Sequence, residues 1–331
     1  MQDLKYNSSY TVTISGTAGV NVAGQGFGAN PYSLSFSTGQ EFERLGGQDR
    51  YETAVKISRQ GWQQSNFAVL ATGKDFPDAL SAAPLAKKYS APILLTSPDS
   101  LPAQTETELE RLQVRNVFII GGYGAVSSAI EEKLQAKGIQ TARLQGTDRY
   151  ATSVAIANYL GPVSGVFVVT GSSFPDALSI ASYAAQYQFP ILLTPRDSLP
   201  SELNDFIHQH RITKSYVVGG EYAISEDVAQ HFVNRERIAG GNRYQTNLAV
   251  LEKFGFDFSQ TFIATGANFP DALAGSALAG EGNNPLLLVS NSMDEEVVYT
   301  LQANKDIMKM KYILGGEEVV PGSLLNRIFS S

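Results

Sequence analysis

Two kinds of apolar pattern alternate along most of the chain. Runs such as FAVLAT (67–72), PILLT (92–96) and VFIIGG (117–122) are apolar throughout and end in Thr or Gly. Strands that do not alternate bury both faces, so these runs predict a parallel sheet covered on each side. Between them lie stretches with helical spacing: YETAVKISRQGW (51–62), DALSAAPLAKKY (78–89), AQTETELERLQ (103–113) and SSAIEEKLQAK (127–137). Strands alternating with helices predict a small three-layer α/β module. The N-terminal tenth differs, because YTVTIS (10–15) and YSLSFST (32–38) alternate strictly about a stretch containing Gly24, Gly26 and Gly28. That is a hairpin pattern, and since a lone hairpin is marginal in water it is expected to belong to a larger β domain.

The module pattern occurs three times. FPDAL begins at Phe76, Phe174 and Phe269, at intervals of 98 and 95 residues. RLGGQDRYETA (44–54) returns as RLQGTDRYATS (143–153) and RIAGGNRYQTN (237–247). PILLT returns at 190–194 and as PLLLV at 285–289, while FIIGG, YVVGG and YILGG end at Gly122, Gly220 and Gly316. Solenoid repeats run roughly 20–50 residues, so a period near 100 marks small domains instead.

FPDAL follows a strand, and Asp75, Ser173 or Asn268 precedes its Phe. These are N-cap residue types, and Asp78, Asp176 and Asp271 fall three positions later, where a capping box places its acid. The motif therefore reads as a helix start. It also reads as the lining of a site, because ligands of α/β modules collect where strands end and helices begin. PILLT reads as core strand.

Composition narrows the chemistry. With 331 residues, a net charge of −7 and no cysteine, the chain excludes a general polyanion binder, disulfides and thiolate metal sites. No apolar run reaches the length of a transmembrane helix, and the start MQDLKYNSSY lacks a signal-peptide pattern. His208, His210 and His231 all fall in the second copy without metal-ligand spacing, and neither a P-loop nor a nucleophile elbow is present. The carboxylate pair Asp75 and Asp78 loses one member in the other copies, which argues against paired acid and base chemistry. Arginines remain: Arg50, Arg149 and Arg243, each followed by Tyr51, Tyr150 or Tyr244. A guanidinium forks onto carboxylate or phosphate, and a neighbouring aromatic can stack on a sugar. The same arginines can equally pin adjacent modules through carbonyls or through Asp49 and Asp148.

The ordered set RLxGxDRYxTA, TGxxFPDAL, PILLT and (I/V)(I/V)GG, three times over, resembles the cell wall binding repeat type 2 family of Gram-positive bacteria. Residues 4–39 resemble the last strands of a bacterial Ig-like domain. The resemblance implies a partial Ig-like β segment at 1–39 and modules at 40–140, 141–235 and 236–331. It implies an α/β fold of three Toprim-like or Rossmann-like three-layer modules in a pseudo-threefold arrangement. The implied role is non-catalytic anchoring at the cell surface, without a cofactor, through an anionic, teichoic-acid-like secondary wall polymer. The chain would be an extracellular monomer with an internal pseudo-trimer, binding no nucleic acid and spanning no membrane. Carried over residue by residue, polymer contact falls to Arg50, Arg149 and Arg243 with Tyr51, Tyr150 and Tyr244. It falls also to the Ile-Leu-Leu motifs Ile93, Leu94, Leu95; Ile191, Leu192, Leu193; and Leu286, Leu287, Leu288. The third copy departs in PLLLV, in Gly241-Asn242 before its Arg and in Pro321, so its affinity is expected to differ. The alternatives are a fragment of a wall hydrolase or amidase, and a module that assembles protein partners.

Overall fold

The computed structural model describes residues 9–14, 32–37 and 42–329. The chain forms two compact units, Met1–Glu43 and Arg44–Ser331. In the first, β1 (Ser9–Ile14) pairs antiparallel with β2 (Tyr32–Ser37), placing Val12 opposite Leu34. Hydroxyls cross the pair from Thr11 to Ser35 at 2.9 Å and from Thr13 to Ser33 at 3.1 Å. The connection expected to carry the hairpin's glycines lies outside the described residues, and two strands alone do not distinguish an Ig-like domain from other β folds.

From Phe42 onward the described residues form three four-stranded sheets. The first is built from β4 (Phe67–Thr72), β5 (Ile93–Thr96), β6 (Asn116–Ile120) and β7 (Gln140–Leu144), in the order β5-β4-β6-β7. The second holds β8 (Gly165–Thr170), β9 (Ile191–Thr194), β10 (Lys214–Val218) and β11 (Arg235–Ile238), in the order β9-β8-β10-β11. The third holds β12 (Gln260–Thr265), β13 (Leu286–Val289) and β14 (Met310–Leu314), in the order β13-β12-β14, and is completed by β3 (Phe42–Leu45). Pairing within the first two sheets is parallel throughout, as the unbroken apolar runs predicted.

Sheet membership is offset from the sequence repeat by one strand. Each strand that opens a copy, ending in Arg-Leu or Arg-Ile, joins the preceding module's sheet, and the first of them closes the third. The Gly315 amide donates to the Leu45 carbonyl at 2.9 Å, as Gly121 does to Leu144 and Gly219 to Ile238. The sequence units that start at residues 40, 141 and 236 are thus not the sheet units.

The helices after these strands are α1 (Arg50–Gly61), α5 (Arg149–Leu160) and α9 (Arg243–Lys253). Their N-caps are Asp49, Asp148 and Asn242, whose side chains accept first-turn amides: Glu52 at 2.8 Å, Ala151 at 2.8 Å and Gln245 at 3.1 Å. Thr53, Thr152 and Thr246 accept the amides of Gly47, Gly146 and Gly240, each at 3.0 Å. The glycine is required because a Cβ at Gly146 would lie 2.3 Å from that of Ala151. Most of RLxGxDRYxT is therefore one device that turns a strand into a capped helix.

FPDAL opens α6 (Pro175–Tyr187) and α10 (Pro270–Glu281) as single helices. In the first copy it forms a 3-10 turn, Pro77–Ser81, followed by α2 (Ala83–Lys88). The one helix expected over 78–89 is broken because Pro84, which lacks an amide proton, stands where the other copies have Ser182 and Ala277. The expected capping box does not form. Phe76, Phe174 and Phe269 occupy the cap position without a side-chain cap bond, and the motif's aspartates turn elsewhere.

α2, α6 and α10 pack against one another about the pseudo-threefold axis. At one end of this contact the rings of Phe76, Phe174 and Phe269 meet, with centroids 5.6, 5.8 and 6.3 Å apart. Small residues allow the close approach: a Cβ at Gly280 would lie 2.6 Å from that of Ala185. The remaining helices, α3 (Ala103–Arg111), α4 (Ser128–Ala136), α7 (Ser201–Gln209), α8 (Glu226–Ala229), α11 (Glu295–Ala303) and α12 (Gly322–Phe329), complete the flanks. Beneath α3 the Glu108 carboxylate is wholly buried, held by Arg111, Arg59 and Ser58.

Candidate functional site

In each module the first strand (β4, β8, β12) is flanked by the second on one side and the third on the other. The chain thus leaves the first strand in opposite directions, and the crevice outside the strand ends at such a switch point is where open α/β sheets bind ligands. FPDAL follows the first strand and the Gly-Gly loop follows the third. Their meeting is tight: a Cβ on Gly121 would lie 2.6 Å from Asp78 Oδ2, one on Gly219 2.6 Å from Asp176 Oδ2, and one on Gly315 2.4 Å from Asp271 Oδ2. All three glycines have positive φ, at 94°, 118° and 103°, which side chains rarely adopt. The leading glycine of the GG motif and the aspartate of FPDAL therefore imply one another.

The next module's first helix closes each crevice. Arg149, at the start of α5, faces Asp78; Arg243, at the start of α9, faces Asp176; Arg50, at the start of α1, faces Asp271. The Arg149 Nη1 donates to the Gly171 carbonyl at 2.7 Å, the Arg243 Nη1 to Gly266 at 2.7 Å, and the Arg50 Nη1 to Gly73. Across the same seams the Arg50 guanidinium lies over the Phe269 ring at 6.0 Å and that of Arg243 over Phe174 at 5.7 Å. Each arginine thus bridges its own strand-end glycine and the FPDAL motif of the preceding module. Asp49 and Asp148, the other partners considered for them, are helix caps.

At the first seam these groups line a cleft of about 570 Å³. Module one contributes Thr72, Lys74, Asp75 and Asp78; the Gly-Gly loop adds Gly122, Gly124 and Ala125; the second module adds Thr147, Asp148, Arg149 and Thr152. Burial pushes the Asp78 carboxyl above its ordinary range; the Thr152 hydroxyl and Arg149 oppose this, while Asp75 and Asp148 reinforce it. Burial raises Asp176 and Asp271 to about 6 each, with Arg243 and Arg50 opposing. Desolvation of the charged form outweighs the arginine in each case.

The other residues singled out from sequence fall elsewhere. Ile93, Leu94, Leu95, Ile191, Leu192, Leu193, Leu286, Leu287 and Leu288 are all 2% exposed or less. They form edge strands, and an edge must be covered. α10 lies on β5, the FPDAL turn of module one on β9, and α6 on β13. Ser153 Oγ accepts the Leu193 amide at 3.0 Å, and Asn247 accepts the Leu288 amide and donates to the Leu286 carbonyl, both at 3.0 Å. In this structure these motifs are buried and pack at the module interfaces. Tyr51, Tyr150 and Tyr244 lie edge-on to strand-end glycines, so that a Cβ on Gly171 would meet Tyr150 Cε1 at 2.6 Å. Tyr244 is buried, which removes it as an open stacking face.

Sequence reasoning missed Lys74, Thr152 and the three phenylalanines. The phenylalanines left a signal, being the same apolar residue kept three times at an exposed-looking helix start. Thr152 left one too, in the invariant Thr of RYxT.

The model of the cell wall binding domain 2 family matches residues 44–131, 143–229 and 237–325. The chain belongs to that family. This cell wall binding domain 2 protein is 36% identical over 248 residues to the N-acetylmuramoyl-L-alanine amidase LytC of Bacillus subtilis, covering 75% of this chain and 50% of the relative. It is 34% identical over 250 residues to the amidase enhancer of the same organism, covering 75% of this chain and 34% of that protein. The chain therefore spans half or less of these curated relatives. Among solved structures it resembles Cwp8 from Clostridium difficile (TM-score 0.81, 26% identity, covering 99% of this chain and 59% of that one). It also resembles Cwp6 from the same organism (TM-score 0.79, 27% identity, 96% and 51%). No described helix is long and apolar enough to cross a membrane. No group of three or more metal-ligating side chains converges among the described residues.

Proposed function

We propose that this chain is a non-catalytic anchor that holds a surface protein to the bacterial cell wall by binding an anionic wall polymer at its three seams. The observation that carries the reading is the threefold placement of an arginine at a switch-point crevice, Arg50, Arg149 and Arg243, each preset by a backbone carbonyl. A preset guanidinium engages an anion with little ordering cost. Three such sites on one compact unit match a repeating polymer. A second contact then forms at high effective concentration, and avidity can exceed a single site's affinity about 10²-fold or more. Membership of the cell wall binding domain 2 family supports the same reading.

Co-sedimentation with purified Gram-positive walls, before and after acid stripping of the anionic polymer, tests it. Wild-type protein should pellet with intact walls only, and the variant carrying Arg50→Gln, Arg149→Gln and Arg243→Gln should stay in solution while keeping its circular-dichroism spectrum. Binding that survives both stripping and substitution overturns the proposal.

A further inference from the structure

The three Gly-Gly loops share one turn and differ in what it displays. In the first, the Ala125 and Val126 amides donate to the Gly122 carbonyl at 2.9 and 3.1 Å. Ala223 and Ile224 do so to Gly220 at 2.9 and 3.0 Å, and Val319 and Val320 to Gly316 at 3.2 and 3.1 Å. The two residues between glycine and turn therefore stand at matched places on the lip of each crevice; at the first seam Gly122, Gly124 and Ala125 line the cleft itself. Tyr123 occupies the first lip, 59% exposed, with the Arg143 guanidinium 4.2 Å from its ring centroid. That arginine is itself fixed by Glu131 at 2.8 Å and by the Gly121 and Val126 carbonyls. Tyr222 occupies the second lip, 95% exposed. The third lip carries Glu317 and Glu318 instead, and there Arg44 is met by the Glu317 carboxylate at 2.8 Å where Arg143 meets a ring.

Building on the anchor reading, we propose that Tyr123 and Tyr222 are sugar-stacking platforms, so that the first and second seams grip a sugar ring together with the neighbouring anion while the third offers Arg50 to the anion alone. An aromatic ring already ordered at a surface seats the apolar C-H face of a sugar with little ordering cost, and Arg143 behind Tyr123 supplies that order. At 95% exposure the Tyr222 ring buries almost no area in the fold, so packing does not account for it. Lys74 adds a cation to the first cleft. On the second lip Glu221 precedes Tyr222, and Arg196, paired with Asp197 at 3.0 Å, donates Nε to the Glu221 carbonyl at 3.3 Å. The third copy has Ala267 and Asn291 where Lys74 and Arg196 stand, so an anionic polymer there meets the carboxylate of Glu318 with neither a ring nor an added cation. Tyr51, Tyr150 and Tyr244 turn toward strand-end glycines, which leaves the stacking role to the loop tyrosines.

The test is co-sedimentation of the full chain with purified Gram-positive walls across a salt series, comparing wild type with the double variant Tyr123→Ala, Tyr222→Ala. The double variant should bind about tenfold more weakly at an unchanged melting temperature. Its affinity should fall with salt in parallel with wild type, because a contact between ring and sugar carries no charge, whereas losing an arginine flattens that dependence. Tyr222→Ala alone, which leaves the Arg143 contact intact, should weaken binding about threefold. Glu318→Tyr should bind more tightly than Glu318→Gln, which removes the same charge without supplying a ring. Tyr299→Ala, at a tyrosine 72% exposed on α11 outside the Gly-Gly loops, should bind as wild type does. Wild-type affinity in both tyrosine variants, or a flattened salt dependence in the double variant, would overturn the stacking role while leaving the anchor standing. So would an equal loss in Tyr299→Ala, or Glu318→Tyr binding no better than Glu318→Gln. Absence of wild-type binding would overturn the anchor reading and the stacking role with it.

Discussion

The Phe76 ring meets that of Phe174 edge-on, with centroids 5.6 Å apart and planes inclined at 65°, although the two residues stand 98 apart in the chain. Phe269 completes the group. One residue of a repeated motif thus makes its main contact with its own copies, and the helix-start motif doubles as the fastening of the ring. Edge-on aromatic pairs contribute about 0.5–1.5 kcal/mol beyond their buried area. Phe174→Ala, which loses both contacts, should destabilise the second unit by roughly 2–4 kcal/mol, measured by urea unfolding.

Gly219→Ala forces a Cβ to within 2.6 Å of Asp176 Oδ2 at a φ of 118°. It should cost about 2–4 kcal/mol, from backbone strain together with the clash. Adding Asp176→Ala removes the clash but not the strain, so a double-mutant cycle should recover part of the loss. Simple additivity would show that the two residues do not meet.

Asp176 gives stability a pH dependence with a definite sign. Its folded-state pKa of about 6 lies above the ordinary 3.8, so its contribution is fully present below 3.8 and is lost as pH rises through 6. Asp176→Asn should therefore stabilise the protein relative to wild type at pH 8, by about 1–3 kcal/mol, and the difference should vanish near pH 4. Thermal melts across that range check it.

Glu108 has the opposite sign. Burial alone would raise its pKa, but hydrogen bonds from Arg111, Ser58 and Arg59 outweigh it and hold the carboxyl below its ordinary range. Its contribution is present above the unfolded carboxylate value near 4.5 and is lost as pH falls through the lowered folded value. Glu108→Ala should cost about 1–3 kcal/mol at pH 7, since it removes the charge-assisted hydrogen bonds of a buried carboxylate while the partly exposed Arg59 and Arg111 return to solvent. Guanidinium-chloride midpoints at pH 7 and pH 3 should show that cost shrinking with acid.

The Ile-Leu-Leu motifs and the arginines should lose wall binding by different routes. Leu192→Ala removes a fully buried side chain and should lower stability by about 2–5 kcal/mol, with binding lost only in proportion to unfolding. Arg149→Gln should weaken binding at an unchanged melting temperature within a few degrees. Equal effects of the two on melting would place the arginine in the scaffold instead of the site.

Much of this protein was legible in its sequence because the information was local or repeated. Unbroken apolar runs fixed parallel strands, helical spacing fixed the covering layers, and triplication of FPDAL and RYxT fixed the module count. The arginines were legible too, as donors kept three times in an acidic chain. Assembly across the seams was not. PILLT reads the same whether it faces a ligand or a neighbouring module, because hydrophobicity carries no address; only packing of α6, α10 and the FPDAL turn on those edges makes it interface. The aspartate after Pro reads as a cap because cap and acid stand three apart, and the structure instead spends it against a glycine of positive φ and an arginine of the next module. Residues 42–45 close the third sheet from the far end of the sequence, a pairing that no local pattern encodes because its partner lies some 270 residues away. Sequence determined the modules, and tertiary structure decided how each one completes the next.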